Sequence, residues 1–466
     1  MGEPVEVAEP VEVPVELAEL VEVAEPVEVA ELVEVPVELA EPVCDPAEAH
    51  SRGIFERLGM EQTATQRYDV TAVREQFPSL RSGRAHFDAP GGTQTPEPVA
   101  RAVYDALAAP LSNRGRRTQA ERNADDLVRG ARAAMGDLLG VDAGTVAFGR
   151  SATALTFAMS RTLAQGWRSG DEIILSRLDH DANVGPWLLA AQRSGVDVKW
   201  ADFDPATGEL DLATIADQLS GRTRLVALTG ASNLIGTQPD IAAVAGAAHR
   251  TPALVYVDGV HHTAHSFVDV PALGADLYVC SPYKFLGPHC GVLTGRADLL
   301  RELTPDKLRP STDETPERFE LGTLPYELLA GVTAAVDFLA DLVPGTGARR
   351  DRLRTSLGVL EEHEDTLRKR VEDGLALLPQ VTVHSRAARR TPTLFMTFAD
   401  RPAEQVSDYL ETDGIDAPAG TFYAYEPARR LGVDSGLRIG LAPYSTQDDI
   451  DRFITSLGNC LRGADL

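Results

Sequence analysis

Six short runs between residues 146 and 281 carry apolar residues at consecutive positions: VAFGR (146–150), DEIILS (171–176), VDVKWADF (196–203), RLVALT (224–229), ALVYVD (253–258) and ADLYVCS (275–281). A strand with one wet face alternates apolar and polar side chains, whereas a strand covered on both faces need not. Runs of this kind, separated by helical text such as IAAVAGAAHR, predict a largely parallel sheet between two layers of helices. SATALTFAMSRTL (151–163) reads as one such helix, with Leu155, Ala158, Met159 and Leu163 on one face. After VPGTG (343–347) the text changes to a long charged helix and then a separate α+β pattern. The expected fold class is therefore α/β, with a large domain over 60–342 and a smaller α+β domain over 343–466.

A chain of 466 residues, 43% hydrophobic, is long enough for two such domains. Its formal net charge of -26 excludes nucleic acid and anionic membrane surfaces as expected partners, because both attract basic proteins. No basic segment precedes an apolar leader, and the cysteines at 44, 280, 290 and 460 show no C-x-x-C spacing. A cytoplasmic, reduced protein is the expectation. The charge is uneven: residues 1–43 hold thirteen Glu and no Lys or Arg, and VEVPVELAE at 11–19 recurs at 33–41. Recurrent Pro and a self-repelling row of Glu predict a disordered acidic tail over 1–59, a low-complexity expansion rather than a partner-binding module. Met60 is a second candidate start, since ordinary globular text (YDVTAVREQFPSL) begins just after it.

Open α/β sheets bind ligands beyond the carboxyl ends of their strands, and polar residues collect there. VAFGR-SAT is a strand, a tight turn and a helix start, where free N–H groups of Ser151, Ala152 and Thr153 suit a phosphate. VYVD ends a buried strand in Asp258, and the next strand ends in Ser281 and Lys284. Lysine is rare in this chain, found only at 199, 284, 307 and 369. Pyridoxal phosphate needs an anion site, a carboxylate to hold its pyridine nitrogen protonated, and an amine for the Schiff base. A lysine at a buried strand end meets the last need through a lowered pKa; arginine, always protonated, cannot.

On these motifs the chain, from about residue 68 to 463, resembles the cysteine desulfurases and class V aminotransferases, pyridoxal phosphate enzymes of fold type I. It is most similar to their cysteine desulfurase-like branch. SPYKFLGPHCG resembles the Schiff-base lysine motif, which implies Lys284 for that role and Ser281 for the phosphate. VDGVHHTAH implies that Asp258 pairs with the pyridine nitrogen and that His261 stands where desulfurases carry Gln beside the phenolic oxygen. LDHDANVGPW resembles a Glu-His-His-x-Asn segment and implies His180 stacked on the cofactor. GASNLIG implies Asn233 on the phenolic oxygen, and RFELGT implies Thr323 reaching the phosphate of a neighbouring subunit, hence a homodimer. LRIGLAPYST implies Arg438 as the clamp for an α-carboxylate, bidentate by geometry. GGTQTP (91–96) is, by the same resemblance, a segment passing near the substrate.

Rival readings are weaker. His261, His262 and His265 lack the H-E-x-x-H pattern of a metal site. Cys290 beside His289 reads as a small buried thiol rather than a nucleophile, since neighbours on a strand point apart.

Desulfurases place a cysteine on a mobile loop ahead of the clamp arginine. Here that loop, DAPAGTFYAYEPARRLGVDSG (416–436), has none. The favoured expectation is β-elimination of an amino acid, including C–S lysis, without a persulfide cysteine and with Tyr423 or Tyr425 assisting the leaving group. Transamination and epimerisation are the alternatives. A non-catalytic binding protein with an acidic interaction tail is a more distant one, opposed by the intact set Lys284, Asp258, His180, Asn233 and Arg438.

Overall fold

The computed structural model describes residues 68–463, so the acidic segment 1–59 lies outside the described residues. In chain order the strands are β1 (Ala85–His86), β2 (Ala147–Gly149), β3 (Glu172–Ser176), β4 (Asp197–Ala201), β5 (Thr223–Thr229), β6 (Leu254–Asp258), β7 (Leu277–Cys280) and β8 (Gly291–Gly295). They continue as β9 (Val381–Val383), β10 (Thr393–Phe398), β11 (Ile415–Asp416), β12 (Ala419–Gly420) and β13 (Gly436–Gly440). Seven form one sheet in the order β2-β8-β7-β6-β5-β3-β4. Its pairings are parallel except at β8, which runs against both β7 and β2.

Consecutive apolar residues do cover both faces. Val226, Leu228, Val255 and Val257 join one core with the helices Gln119–Leu139 and Tyr326–Ala340. Their neighbours Leu225, Ala227 and Tyr256 join another with the helices Ala152–Ala164 and Gly185–Ser194. The run at 196–203 differs from the other five. Only Asp197–Ala201 is strand, it sits at the sheet edge, and Ala201 alone of its residues is buried. Lys199 there bonds Glu172 of β3 at 2.8 Å, a polar pairing that an edge tolerates.

A four-stranded antiparallel sheet, β12-β13-β10-β9, packs with helices Ala403–Thr412 and Gln447–Leu461 in a third core. The long helix Arg349–Ala376 gives Leu353, Leu357 and Leu360 to the first core and Leu367, Val371 and Leu375 to the third. β1 pairs in parallel with β11, Ala85 opposite Ile415, and brings Ala85 and Phe87 into that third core as well. No helix among the described residues is long and apolar enough to cross a membrane.

Candidate active site

Between β3 and β5 the order of the sheet reverses, and a crevice opens beyond the strand ends. It holds a cavity of about 620 Å³. Ser151, Ala152, Thr153, His180, Asn233, Asp258, His261, Ser281, Lys284 and Arg438 all line it. Thr323 does not; it is exposed, beyond the turn Glu317–Phe319.

Ser151 caps the helix Ala152–Ala164, its hydroxyl accepting from Ala154 N–H at 3.1 Å. The N–H groups of Ala152 and Thr153 have no acceptor within the helix and stand at its positive end. Gly291 opens β8 against this turn: a Cβ there would lie 2.3 Å from the Ser151 carbonyl carbon, so only glycine lets the strand approach.

Lys284 ends the tight turn Pro282–Lys284 after β7. Its Nζ donates to the carbonyls of Pro90 and, at 3.0 Å, Gly91. Burial first, then the Arg438 charge, pulls its pKa down to about 7, against Asp88 and Asp258. Burial pushes the Asp258 carboxyl up to about 6, although Val260 N–H donates to its Oδ1 at 2.9 Å and Lys284 opposes the shift. His180 is held neutral, at about 4, by burial and by Lys284 and Arg438. Its Nδ1 accepts from Ala182 N–H at 3.0 Å, which leaves the ring proton on Nε2. His261 is likewise driven well below the usual range by burial and by His265. Its Nε2 meets the hydroxyls of Thr391 and Thr393 at 3.0 and 2.8 Å.

Arg438 arrives on β13, almost wholly buried. Nη2 donates to Asp88 Oδ1 at 2.6 Å and Nη1 to Asn233 O at 3.3 Å, while Phe422 stacks at 3.7 Å. The buried Arg438 Nε has no hydrogen-bond partner among the described residues, and neither has Asn233 Oδ1. Phe422 and Tyr423 both adopt left-handed backbone (φ 55° and 56°), a conformation costing on the order of 1 kcal/mol per residue. Two bonds offset that cost: Asn233 Nδ2 donates to Phe422 O at 3.0 Å, and Asp181 N–H to Tyr423 O at 2.8 Å.

These groups fit pyridoxal phosphate: a helix start for the phosphate, a buried carboxylate and a lysine whose amine is easily neutral. The histidines are otherwise engaged. His262 Nδ1 lies 3.2 Å from the Tyr278 hydroxyl and His265 Nδ1 2.8 Å from Glu364 Oε2, and no metal-holding cluster occurs among the described residues.

Four contributors escaped the sequence reading. Asp88 accepts from Gly91 N–H at 3.1 Å, and a Cβ on Gly91 would strike its carboxylate. Buried Asp179 accepts from Thr229 N–H at 3.0 Å and Asn183 Nδ2 at 2.6 Å, tying the His180 segment to the end of β5. Asp181 and Thr229 line the cavity. Asp179 and Asp181 flank His180 in a polar loop (SRLDHDAN, 176–183) where two acids carry no special signal, and nothing local marks Asp88.

The family model "Aminotransferase class-V" matches residues 85–453. The chain is 32% identical over 397 residues to an uncharacterized protein of Mycobacterium tuberculosis, covering 84% of this chain and 99% of that one. A cysteine desulfurase of Dickeya dadantii is 30% identical, with 84% and 97% covered. Among solved structures, the Escherichia coli cysteine desulfurase CsdA superposes with a TM-score of 0.76 at 27% identity, covering 85% of this chain and 99% of that one. A C-DES mutant with glycine covalently linked to its pyridoxal phosphate cofactor shares the fold, with a TM-score of 0.70 at 22% identity, covering 83% and 99%.

Proposed function

The chain belongs to the aminotransferase class-V family, whose cofactor is pyridoxal phosphate, and from that premise we propose that it is an amino-acid β-lyase that releases sulfur without a persulfide relay. One observation carries this reading: among the described residues no cysteine lines the cavity. Cys280, Cys290 and Cys460 are buried, and burial pushes the thiols of Cys280 and Cys290 up, the latter to about 12. Sulfur capture needs an accessible thiolate, and none of these supplies one. Residues 421–425 offer Thr421, Phe422, Tyr423 and Tyr425 instead.

Asp258, the 151–153 turn and Lys284 would hold the cofactor, which would supply an electron sink for charge at Cα. Arg438 orients the substrate through its α-carboxylate, with Nε and an Nη edge as donors. The neutral Lys284 amine takes the Cα proton. The Cβ–S bond breaks, the electron pair leaves with sulfur, and Lys284 or the Tyr423 hydroxyl at the mouth returns a proton to the thiolate. The released three-carbon enamine takes a proton from water at Cβ, and hydrolysis of the resulting imine gives pyruvate and ammonia. His180, neutral and lining the cavity, would face the cofactor ring without adding charge to it.

Incubation with cysteine and with S-alkyl cysteines tests this. Pyruvate, ammonia and free sulfide or thiol are expected; alanine, or a keto acid formed only with a second amino-group acceptor, defeats the proposal.

A further inference from the structure

Among the described residues, five formally charged ones line the cavity: Asp88, Asp181, Asp258, Lys284 and Arg438. Asp88 and Arg438 neutralise each other at 2.6 Å. Asp258 and Lys284 lie deeper, each shifting the other's titration. Asp181 is different. It is exposed, it has no side-chain hydrogen bond or ion pair among the described residues, and its carboxylate rests against Gly185 of the wall. The lining also holds two aromatic side chains, Tyr423, which is 78% exposed, and the partly buried Phe157. The Asp181 N–H to Tyr423 O bond joins the two main chains at this edge of the cavity, which both residues line. Asp181 also stands where the Glu-His-His-x-Asn pattern has its second histidine.

We propose that Asp181 and Tyr423 form a cation subsite, so that the enzyme prefers amino acids whose side chain ends in a positively charged nitrogen. This rests on the amino-acid reading of the cavity given above. Arg438, inside, takes the α-carboxylate; the substrate side chain then extends towards the mouth, where it meets a carboxylate and an aromatic ring. A cation gains from both, by Coulomb attraction and by the ring quadrupole. A side chain ending in a carboxylate meets an unpaired like charge, with no cation among the described residues at the mouth to offset it. Both lining cations sit inward: the Arg438 side chain is 3% exposed, and Lys284 is tied to the carbonyls of Pro90 and Gly91.

A competing structural role for Asp181 is to stabilise the start of the helix Gly185–Ser194 by its charge. Ligand discrimination separates the two. The holoenzyme is titrated with L-lysine, L-norleucine and L-2-aminoadipate, which have side chains of similar reach, and the shift of its visible absorbance band gives each Kd without requiring turnover. Aminoadipate should bind more weakly than norleucine. In Asp181→Asn the lysine-to-norleucine affinity ratio should fall about fivefold, the scale of one exposed ion pair, and 0.5 M salt should shrink the same ratio in the parent enzyme. An unchanged ratio in Asp181→Asn, or aminoadipate binding as well as norleucine, overturns the subsite even if cysteine conjugates still yield pyruvate. If none of the three shifts the band while cysteine does, the subsite is equally refuted. If cysteine fails too, both in shifting the band and in yielding pyruvate, it is the lyase reading that falls, and the subsite with it.

Discussion

Arg438 and Asp88 meet at 2.6 Å although 350 positions separate them in the chain, and Phe422 covers the guanidinium from the other side. The pair joins the 88–91 segment, whose carbonyls hold the Lys284 amine, to the strand that carries the carboxylate clamp. A guanidinium held in this way presents two parallel N–H bonds; an ammonium presents a point charge. Arg438→Lys should therefore raise the Kd for amino acids roughly 10- to 100-fold, read from spectral titration of the holoenzyme. Asp88→Ala leaves the buried guanidinium short of its partner and should cost on the order of 2 kcal/mol, reduced from the fully buried case because Asp88 is partly exposed. Denaturant unfolding measures that loss, and an unchanged midpoint would remove Asp88 from the clamp.

Lys284 titrates near 7, so its neutral, nucleophilic form dominates above that pH and its charged form below. Cofactor uptake by stripped protein should accelerate as pH rises through about 7. An unperturbed lysine would place that rise near 10.4. Lys284→Ala should lack the visible band altogether, and Lys307→Ala should keep it. Borohydride-stable attachment of the cofactor to Lys284→Ala protein contradicts the assignment.

Asp258 has its folded pKa raised to about 6. A carboxyl shifted upward favours folding while protonated, and that contribution disappears as pH climbs from about 4 to 6. Relative to Asp258→Asn, the cofactor-free parent should thus be less stable at pH 8 than it is at pH 4. The expected difference is on the order of 2 kcal/mol. Thermal melts of both proteins at the two pH values decide it; parallel curves would mean the carboxyl is well solvated. The same variant should hold the cofactor with an altered visible spectrum.

Replacing Cys44, Cys280, Cys290 and Cys460 together by Ala or Ser should spare most of the turnover, with some packing cost at the three buried positions. Intact-protein mass spectrometry after exposure to cysteine should show no added sulfur. A stoichiometric persulfide with alanine as coproduct would return the chain to sulfur relay.

Thr323 faces solvent in one copy of the chain, and we propose that a second copy brings it to the neighbouring phosphate site. Sedimentation should give a homodimer, and Thr323→Ala should loosen the cofactor more than it changes the melting temperature. A fully active monomer at micromolar concentration excludes this.

The seven-stranded sheet was legible because each central strand repeats one physical demand, apolar side chains on both faces, and five of the six runs met it; the sixth, 196–203, gives an edge strand with one buried residue. β8 was not singled out: GVLTG has two glycines and only three side chains of any size. The lysine turn, Asp258 and the helix start at Ser151 could be read locally, because each is a polar residue at a strand end. Asp88 could not. Its role exists only through β13, and no local pattern encodes a partner on the far side of the chain. Asp181 was hidden for another reason: it looks like an ordinary helix-start acid until the cavity shows it without an ion-pair partner among the described residues.

The pairing of β1 with β11 has a consequence for synthesis. By residue 295 a growing chain holds every strand of the seven-stranded sheet, including the lysine turn. Ala85 and Phe87 must still wait for Ile415, and Asp88 for Arg438. Until those stretches leave the ribosome, the early segment lacks both its strand partner and its ion-pair partner, which exposes it to chaperones and to mispairing. Contacts so distant in sequence also slow spontaneous refolding. A chain stalled before residue 436 would own the amine and lack the clamp, so substrate recognition is the last property the nascent protein acquires.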